Sequence, residues 1–349
     1  MMRFLNLPVA GRRAVIERQK ESVGLPGMSI EKDLWVTQVL HALFSLDVSD
    51  KLIFKGGTSL SKAWGLIERF SEDIDLAIDP VLLGAPYGDP TKKQIKKLRK
   101  ASSLYVAEEL AEKLRERFAE MELEEWLSVD VQPNGEGDNT YPEPRQLYVH
   151  YKSVYEGQMG YLRSDIVLEV SARSLLEPVA KAEIYSILSQ KIGLKDLAPV
   201  PVTTAVAGKT MVEKMFLLHE LFSVEGHGMK AERKSRHLYD LYRMMNQPFA
   251  GEALRDDVLW ESIRHHREIY TSVSGMDYTP DVRERMVLVP RADIMEGWRC
   301  DYENMRDAMI YGDKPTWEEL MDAMEQLQMR VRGHSVKGTS VRGQVPDSL

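Results

Sequence analysis

Lys51-Leu52-Ile53-Phe54-Lys55-Gly56-Gly57-Thr58-Ser59-Leu60-Ser61-Lys62, followed by Arg69-Phe70-Ser71-Glu72-Asp73-Ile74-Asp75-Leu76, decides how this chain folds. Residues 51–54 read as a buried strand that breaks at a glycine pair and enters a helix. Residues 71–78 read as a return strand. Glycines ahead of a helix let backbone N–H groups approach a phosphate, and the helix start favours negative charge. This gives Gly56, Gly57, Thr58 and Ser59 as a candidate phosphate turn. Residues i and i+2 of a strand leave one face, so Asp73 and Asp75 point together while Ile74 and Leu76 turn into a core. Alone, Gly-Gly is a turn and Asp-x-Asp a solvated loop or cap. Together they supply what magnesium-dependent phosphoryl or nucleotidyl transfer requires.

Composition bounds the rest. Lys and Arg number 46 against 54 Asp and Glu in 349 residues, a formal charge of −8. That argues against a wholly basic nucleic-acid coat, though not against a local basic groove. Cys300 is the one cysteine, so no intrachain disulfide forms, and a reducing cytoplasm is expected. No apolar run approaches the roughly 18 residues of a membrane span. The first residues lack the apolar core of a signal peptide.

The domain reading is 1–50 as N-terminal helices, 51–175 as an α/β (α+β) core with a mixed sheet, 176–332 as a C-terminal helical domain, and 333–349 as a flexible tail. Ser29 is the expected cap of a helix whose apolar face is Trp35, Val36, Val39, Leu40, Leu43 and Phe44. A helix is expected from Thr58 to Ile67, a long one over 92–124, and strands at 127–131, 146–151 and 162–171. Pro199 to Val202 reads as an extended connector. The run Lys92-Lys93-Gln94-Ile95-Lys96-Lys97-Leu98-Arg99-Lys100 is either a solvated helix face or an electropositive edge that meets phosphates. In the strand at 162–171, Glu169 lies mid-strand and is the choice for a third metal-binding carboxylate. Asp165, near the strand's start, reads as a turn residue. Lys214 and Asp240 each interrupt an apolar helix, as a paired charge or as a snorkelling lysine and a structural acid. No zinc-type spacing, nucleophile elbow or Walker lysine is present.

The stretch 55–76 closely resembles the AbiEii/AbiGii nucleotidyltransferase toxins of the DNA polymerase beta-like superfamily. Ile30-Glu31-Lys32-Asp33-Leu34-Trp35 is similar to that family's N-terminal helix, Val212-Glu213-Lys214-Met215 to its lysine helix, and Arg236-His237-Leu238-Tyr239-Asp240-Leu241 to its Arg-Asp-Leu-Tyr-Asp-Leu motif. His237 departs from the aspartate often found there, and nothing past residue 250 matches a motif.

The resemblance implies a polymerase beta-like core and a toxin of a toxin–antitoxin or phage-defence system. Asp73, Asp75 and Glu169 would hold magnesium (or manganese), and Lys62, Arg69 and Ser71 would add contacts to the NTP. Lys214 would reach the triphosphate, and Asp240 would position the lysine or the substrate. The implied acceptor is RNA, with the tRNA 3′ end favoured, and the implied partner is an antitoxin such as a winged-helix repressor. The alternatives are transfer to a protein hydroxyl or small molecule, or a non-catalytic nucleotide-binding module.

Overall fold

Leu52, Phe54, Ile74, Leu76 and Ile78 are fully buried, and their alternation builds the centre of the sheet. Each contributes on the order of 1.5–3 kcal/mol relative to an exposed side chain. The structure, a computed structural model, describes residues 2–85, 87–137, 140–155, 163–192 and 199–333. The expected tail therefore lies almost wholly outside the described residues.

Seven strands form one mixed sheet: β1 (Leu52–Lys55), β2 (Ile74–Ile78), β3 (Leu127–Val131), β4 (Arg145–Tyr151), β5 (Ile166–Ser171), β6 (Val179–Ile184) and β7 (Val200–Ala205), in the order β3-β4-β5-β2-β1-β7-β6. β2 runs antiparallel to β1 and parallel to β5, and β1 runs parallel to β7. β6 and β7 correct the reading of this segment as connector and helix. Pro199 and Pro201 masked the strand signal, since a proline within a run argues against a central strand. Pro201 is tolerated because it pairs only with Glu183 of β6, and β7 meets β1 only at Phe54↔Thr204.

Helices α1 (Met2–Leu5), α2 (Val9–Glu17), α3 (Lys20–Val23) and α4 (Gly27–Phe44) precede the sheet, and α5 (Gly56–Lys62) follows β1. α4 starts after Pro26, so Ser29 is interior rather than a cap. Nor does α4 have a single apolar face. Glu31, Lys32 and Asp33 are buried with the hydrophobic residues, which is tolerable because each is paired. Glu31 accepts from Ser153 Oγ at 2.6 Å and Val154 N at 2.9 Å. α5 stops at Lys62, short of the expected Ile67. Trp64 and Ile67 still pack on the core, and Trp64 Nε1 donates to Ala205 O at 3.0 Å.

The long helix is α6 (Lys92–Tyr105) and α7 (Ala111–Glu120), joined by a π-helical turn at Val106–Leu110. Then come α8 (Ile187–Ile192), α9 (Ala207–Ser223), α10 (Arg236–Met244), α11 (Pro248–Arg255), α12 (Asp257–Tyr270), α13 (Met295–Met309) and α14 (Trp317–Gly333). α9 packs against α10, α11 and α12, and α10 against α14. No helix among the described residues is long and apolar enough to cross a membrane.

The two sheet faces differ. Leu52, Phe54, Ile74, Leu76, Ile166, Leu168 and Val170 enter the main core, while Ile53, Ala77 and Ala205 form a small separate cluster on the other face. That second face also carries Lys55, Asp75 and Glu169.

Candidate active site

Strand register sets one wall of the site. Lys55 pairs with Asp75 across β1–β2, Asp75 with Glu169 across β2–β5, and Glu169 with Gln146 across β4–β5. Cross-strand partners share a face, so Gln146, Glu169, Asp75 and Lys55 form a polar row over four adjacent strands. Gln146 Nε2 donates to Glu169 Oε1 at 2.7 Å. Burial raises the Glu169 carboxyl above its usual range, and the nearby Asp75 and Asp73 charges add to that.

The glycine pair exists for close approach. Gly56 has φ of +75°, and a Cβ there would lie 1.9 Å from Asp75 Oδ2. A Cβ on Gly57 would lie 2.6 Å from Arg69 Nη2 and 3.0 Å from Ser71 Oγ. Only a residue without a side chain lets β1 turn into α5 against these groups.

The opposite wall comes from helices α9, α10 and α12. A cavity of about 400 Å³ lies between them and the strands, lined by Gly56, Gly57, Arg69, Ser71, Asp73, Asp75, Glu169 and Lys214 among others. Its cations Lys55, Arg69, Arg173, Lys214, Arg236 and Arg267 outnumber its acids Asp73, Asp75, Glu169 and Glu213. A local excess of positive charge in a chain of net charge −8 fits a polyphosphate anion.

Asp240 is fully buried behind this surface and does not line the cavity. Arg69 grips it with two hydrogen bonds, Nε to Oδ1 at 2.7 Å and Nη2 to Oδ2 at 2.8 Å. Lys214 Nζ lies 3.0 Å from Oδ2. Burial pushes the Asp240 carboxyl up, but Arg69 and Lys214 outweigh it and hold it far below its usual range. Asp240 is thus an anchor for two cavity cations. Burial lowers the Lys214 ammonium, with Asp240 opposing. The departure at residue 237 falls here, since His237 Nδ1 lies 3.1 Å from Lys214 Nζ. Burial, then Lys214 and Arg236, depress this imidazole well below its usual range, so it is neutral and accepts from the ammonium.

The other expected nucleotide contacts divide. Gly56, Gly57, Arg69 and Ser71 line the cavity. Thr58 and Ser59 are buried with partners of their own: Thr58 Oγ1 donates to Asp73 O and lies 2.9 Å from Ser71 Oγ, and Ser59 Oγ donates to Gly56 O at 2.9 Å. Lys62 points elsewhere, its Nζ 2.5 Å from Asp33 Oδ1 and 2.9 Å from Thr37 Oγ1. Its place at the C-terminal end of α5 turns it toward α4.

Arg236, Lys55, Thr210 and His266 reach the cavity without having been singled out. Arg236 Nη1 lies 3.4 Å from Asp73 Oδ2. Burial opposes its charge, but Asp73, Asp75 and Asp240 prevail and raise it. The basic run 230–237 was the available signal for Arg236.

Among the described residues, no three His, Cys, Asp or Glu side chains stand close enough to hold one metal ion. The expected three-carboxylate group is therefore not assembled as such. Glu169 is engaged by Gln146, and Asp73 turns Oδ2 toward Arg236. A magnesium ion needs less, because it commonly takes one or two carboxylates plus substrate phosphates. Asp73 and Asp75 offer hard oxygen donors of that kind, and Asp73 Oδ1 is buried without a hydrogen-bond partner. The donor set fits such an ion.

Acids on strands and cations on later helices, closing on one cavity, is the arrangement of a nucleotidyltransferase. The family model described as "Nucleotidyl transferase AbiEii toxin, Type IV TA system" matches residues 38–323, and the chain belongs to that family. It is a nucleotidyltransferase toxin of a type IV toxin–antitoxin system, a family that implies an NTP substrate and a cognate antitoxin. Among solved structures, the nucleotidyltransferase toxin MenT4 of Mycobacterium tuberculosis is similar at 17% identity and a TM-score of 0.49, covering 93% of this chain and 88% of that one. No curated protein matches the chain.

Proposed function

We propose that the protein transfers a nucleoside monophosphate from an NTP to the 3′ end of an RNA, with tRNA the favoured acceptor, and that the reaction depends on magnesium. The observation that carries this reading is the row Lys55–Asp75–Glu169, with Asp73 beside it, facing Lys214 and Arg236 across one cavity. An acceptor that is itself a polyanion suits a chain whose exposed α6 begins with a run of lysines. Arrest of translation by such transfer would suit a phage-defence system, and a winged-helix repressor is the antitoxin we favour.

Asp73 and Asp75 would hold the metal ion, whose charge would offset that of the triphosphate and ease ionisation of the attacking hydroxyl. Lys214 and Arg236 orient the triphosphate by charge-assisted contacts. Asp240 acts through them, fixing Lys214 and Arg69 in place. The acceptor 3′-oxygen forms a bond to the α-phosphorus as the bond from that phosphorus to its bridging oxygen breaks, and pyrophosphate leaves with the electron pair. Glu169, made more basic by burial and by Asp75, takes the hydroxyl proton.

The test is incubation with labelled NTPs, magnesium and total cellular RNA and protein. The expected result is label in RNA that disappears in Asp75→Ala. Label in protein alone overturns the RNA acceptor. No label in either, with NTP still bound, leaves a binding module instead of a transferase.

A further inference from the structure

A second cavity of about 400 Å³ adjoins the first and shares Ser174, Leu175 and His266 with it. Its wall is largely apolar, with Ile53, Leu176, Val179 and Tyr270. His266 stacks on Tyr270 with ring centroids 4.6 Å apart and an interplanar angle of 23°. Burial and Arg267 lower the His266 imidazole to about 4, so the stacked ring is neutral. At the mouth stands Tyr87, an aromatic side chain 67% exposed, whose hydroxyl donates to Asp79 Oδ2 at 2.8 Å. The Tyr87–Gly88 loop leads directly into α6, and the next residue of that loop, Asp89, meets His265 Nε2 at 2.8 Å.

α6 runs Lys92–Tyr105 with six cationic residues and no acid. Lys92, Lys93, Lys96, Lys97 and Lys100 are exposed. Among the described residues none of the five forms an ion pair, and Lys100 lies 4.9 Å over the Tyr141 ring. The cavity itself carries Asp50, Asp79 and Glu177 against Lys51. Those acids repel phosphate but admit an uncharged base. Charge thus differs between the two surfaces, cationic along α6 and net acidic in the cavity.

Resting on the nucleotidyl-transfer reading, we propose that this cavity seats the terminal base of a single-stranded RNA 3′ end while the α6 lysines track the phosphates that precede it. Exposed aromatics beside a lysine track are how proteins hold single strands without reading their sequence. The base enters past Tyr87 and lies near Tyr270 and His266. Its 3′-hydroxyl then faces the first cavity through the wall formed by Ser174, Leu175 and His266.

The experiment measures binding of a short fluorescent single-stranded RNA by anisotropy across a salt series, alongside transfer of labelled nucleotide. Replacing Lys92, Lys93, Lys96 and Lys97 by Gln should weaken RNA binding by about tenfold or more at physiological salt. It should also flatten the slope of log Kd against log salt by about 2–3, since each lost single-strand phosphate contact removes roughly 0.7. Tyr87→Ala should weaken binding about five- to a hundredfold, whereas Tyr87→Phe keeps the ring and should bind like wild type. Melting curves matching wild type show that these surface variants remain folded. An unchanged Kd and salt slope in the lysine variant overturns the docking surface, even where wild type labels RNA. Wild type that binds RNA through these residues yet labels only protein supports the surface and overturns RNA as the acceptor. Failure of wild type to bind the RNA overturns the proposal outright.

Discussion

In the transfer proposed above, Glu169 would serve chemistry at the fold's expense. Its carboxyl is raised by burial and by Asp75 and Asp73, so the ionised form is less favourable in the folded chain than in the unfolded one. The resulting loss of stability is absent below the unfolded value, sets in as pH rises toward the folded value, and is fully present above it. Glu169→Gln removes it and keeps an oxygen for Gln146. The variant should therefore melt higher than wild type at neutral pH, with the gap closing in acid, while transfer falls about a hundredfold or more. Thermal melts across pH, paired with the labelling assay, test both halves. A variant that melts lower at neutral pH would show that Glu169 is a structural acid. Gly56→Ala is the complementary case at this scale. The new methyl meets Asp75 where φ is +75°, so loss of transfer should accompany a loss of roughly 1–3 kcal/mol in stability, read from urea melts.

Among the elements, the pairing of Glu72 deserves equal weight with the aspartates it precedes. Lys32 of α4 donates to its Oε2 at 2.6 Å, Arg163 N donates to the same oxygen at 3.0 Å, and Arg233 from the segment before α10 meets Oε1. Lys32 and Glu72 are almost wholly buried. Glu72→Gln leaves the ammonium without its counter-charge and should cost about 3–5 kcal/mol, whereas joining it to Lys32→Met should recover part of that loss. Urea unfolding of the single and double variants decides this, and equal stability of all three would show that the pair carries little.

This element scale also marks where reading the sequence stops. β1, β2 and β5 were legible because alternation is local: Ile74 and Leu76 inward, Asp73 and Asp75 outward. β6 and β7 were not, because Pro201 hides a strand whose partner lies across an intervening helix. Asp73, Asp75 and Lys214 stood out as charges in apolar surroundings. Arg236 and Thr210 did not, since their place at the cavity depends on how α9 and α10 dock. Lys62 was an expected nucleotide contact through the family resemblance, and only the position of α4 beside it gives it to Asp33.

For the molecule as a whole, the cavity joins strands from the first half of the chain to helices from the second. An NTP bound there should tie the two together. At a hundred times its Kd it should add about 2.7 kcal/mol to stability. Hydrogen exchange should slow in α9 and α10 as well as in β2. Protection confined to the strands would show that the helices do not close on the nucleotide.

The meeting at Glu72 of segments from residues 32, 163 and 233 has a consequence for synthesis. A growing polypeptide that has already displayed Asp73, Asp75 and Glu169 still lacks Arg233, Lys214 and Arg236. On the ribosome it holds those acids with Lys55, Arg69 and Arg173, but without the cations that the later helices bring. A fragment ending between residues 176 and 213 lacks the helical wall of the cavity, and it is expected to add no label in the transfer assay.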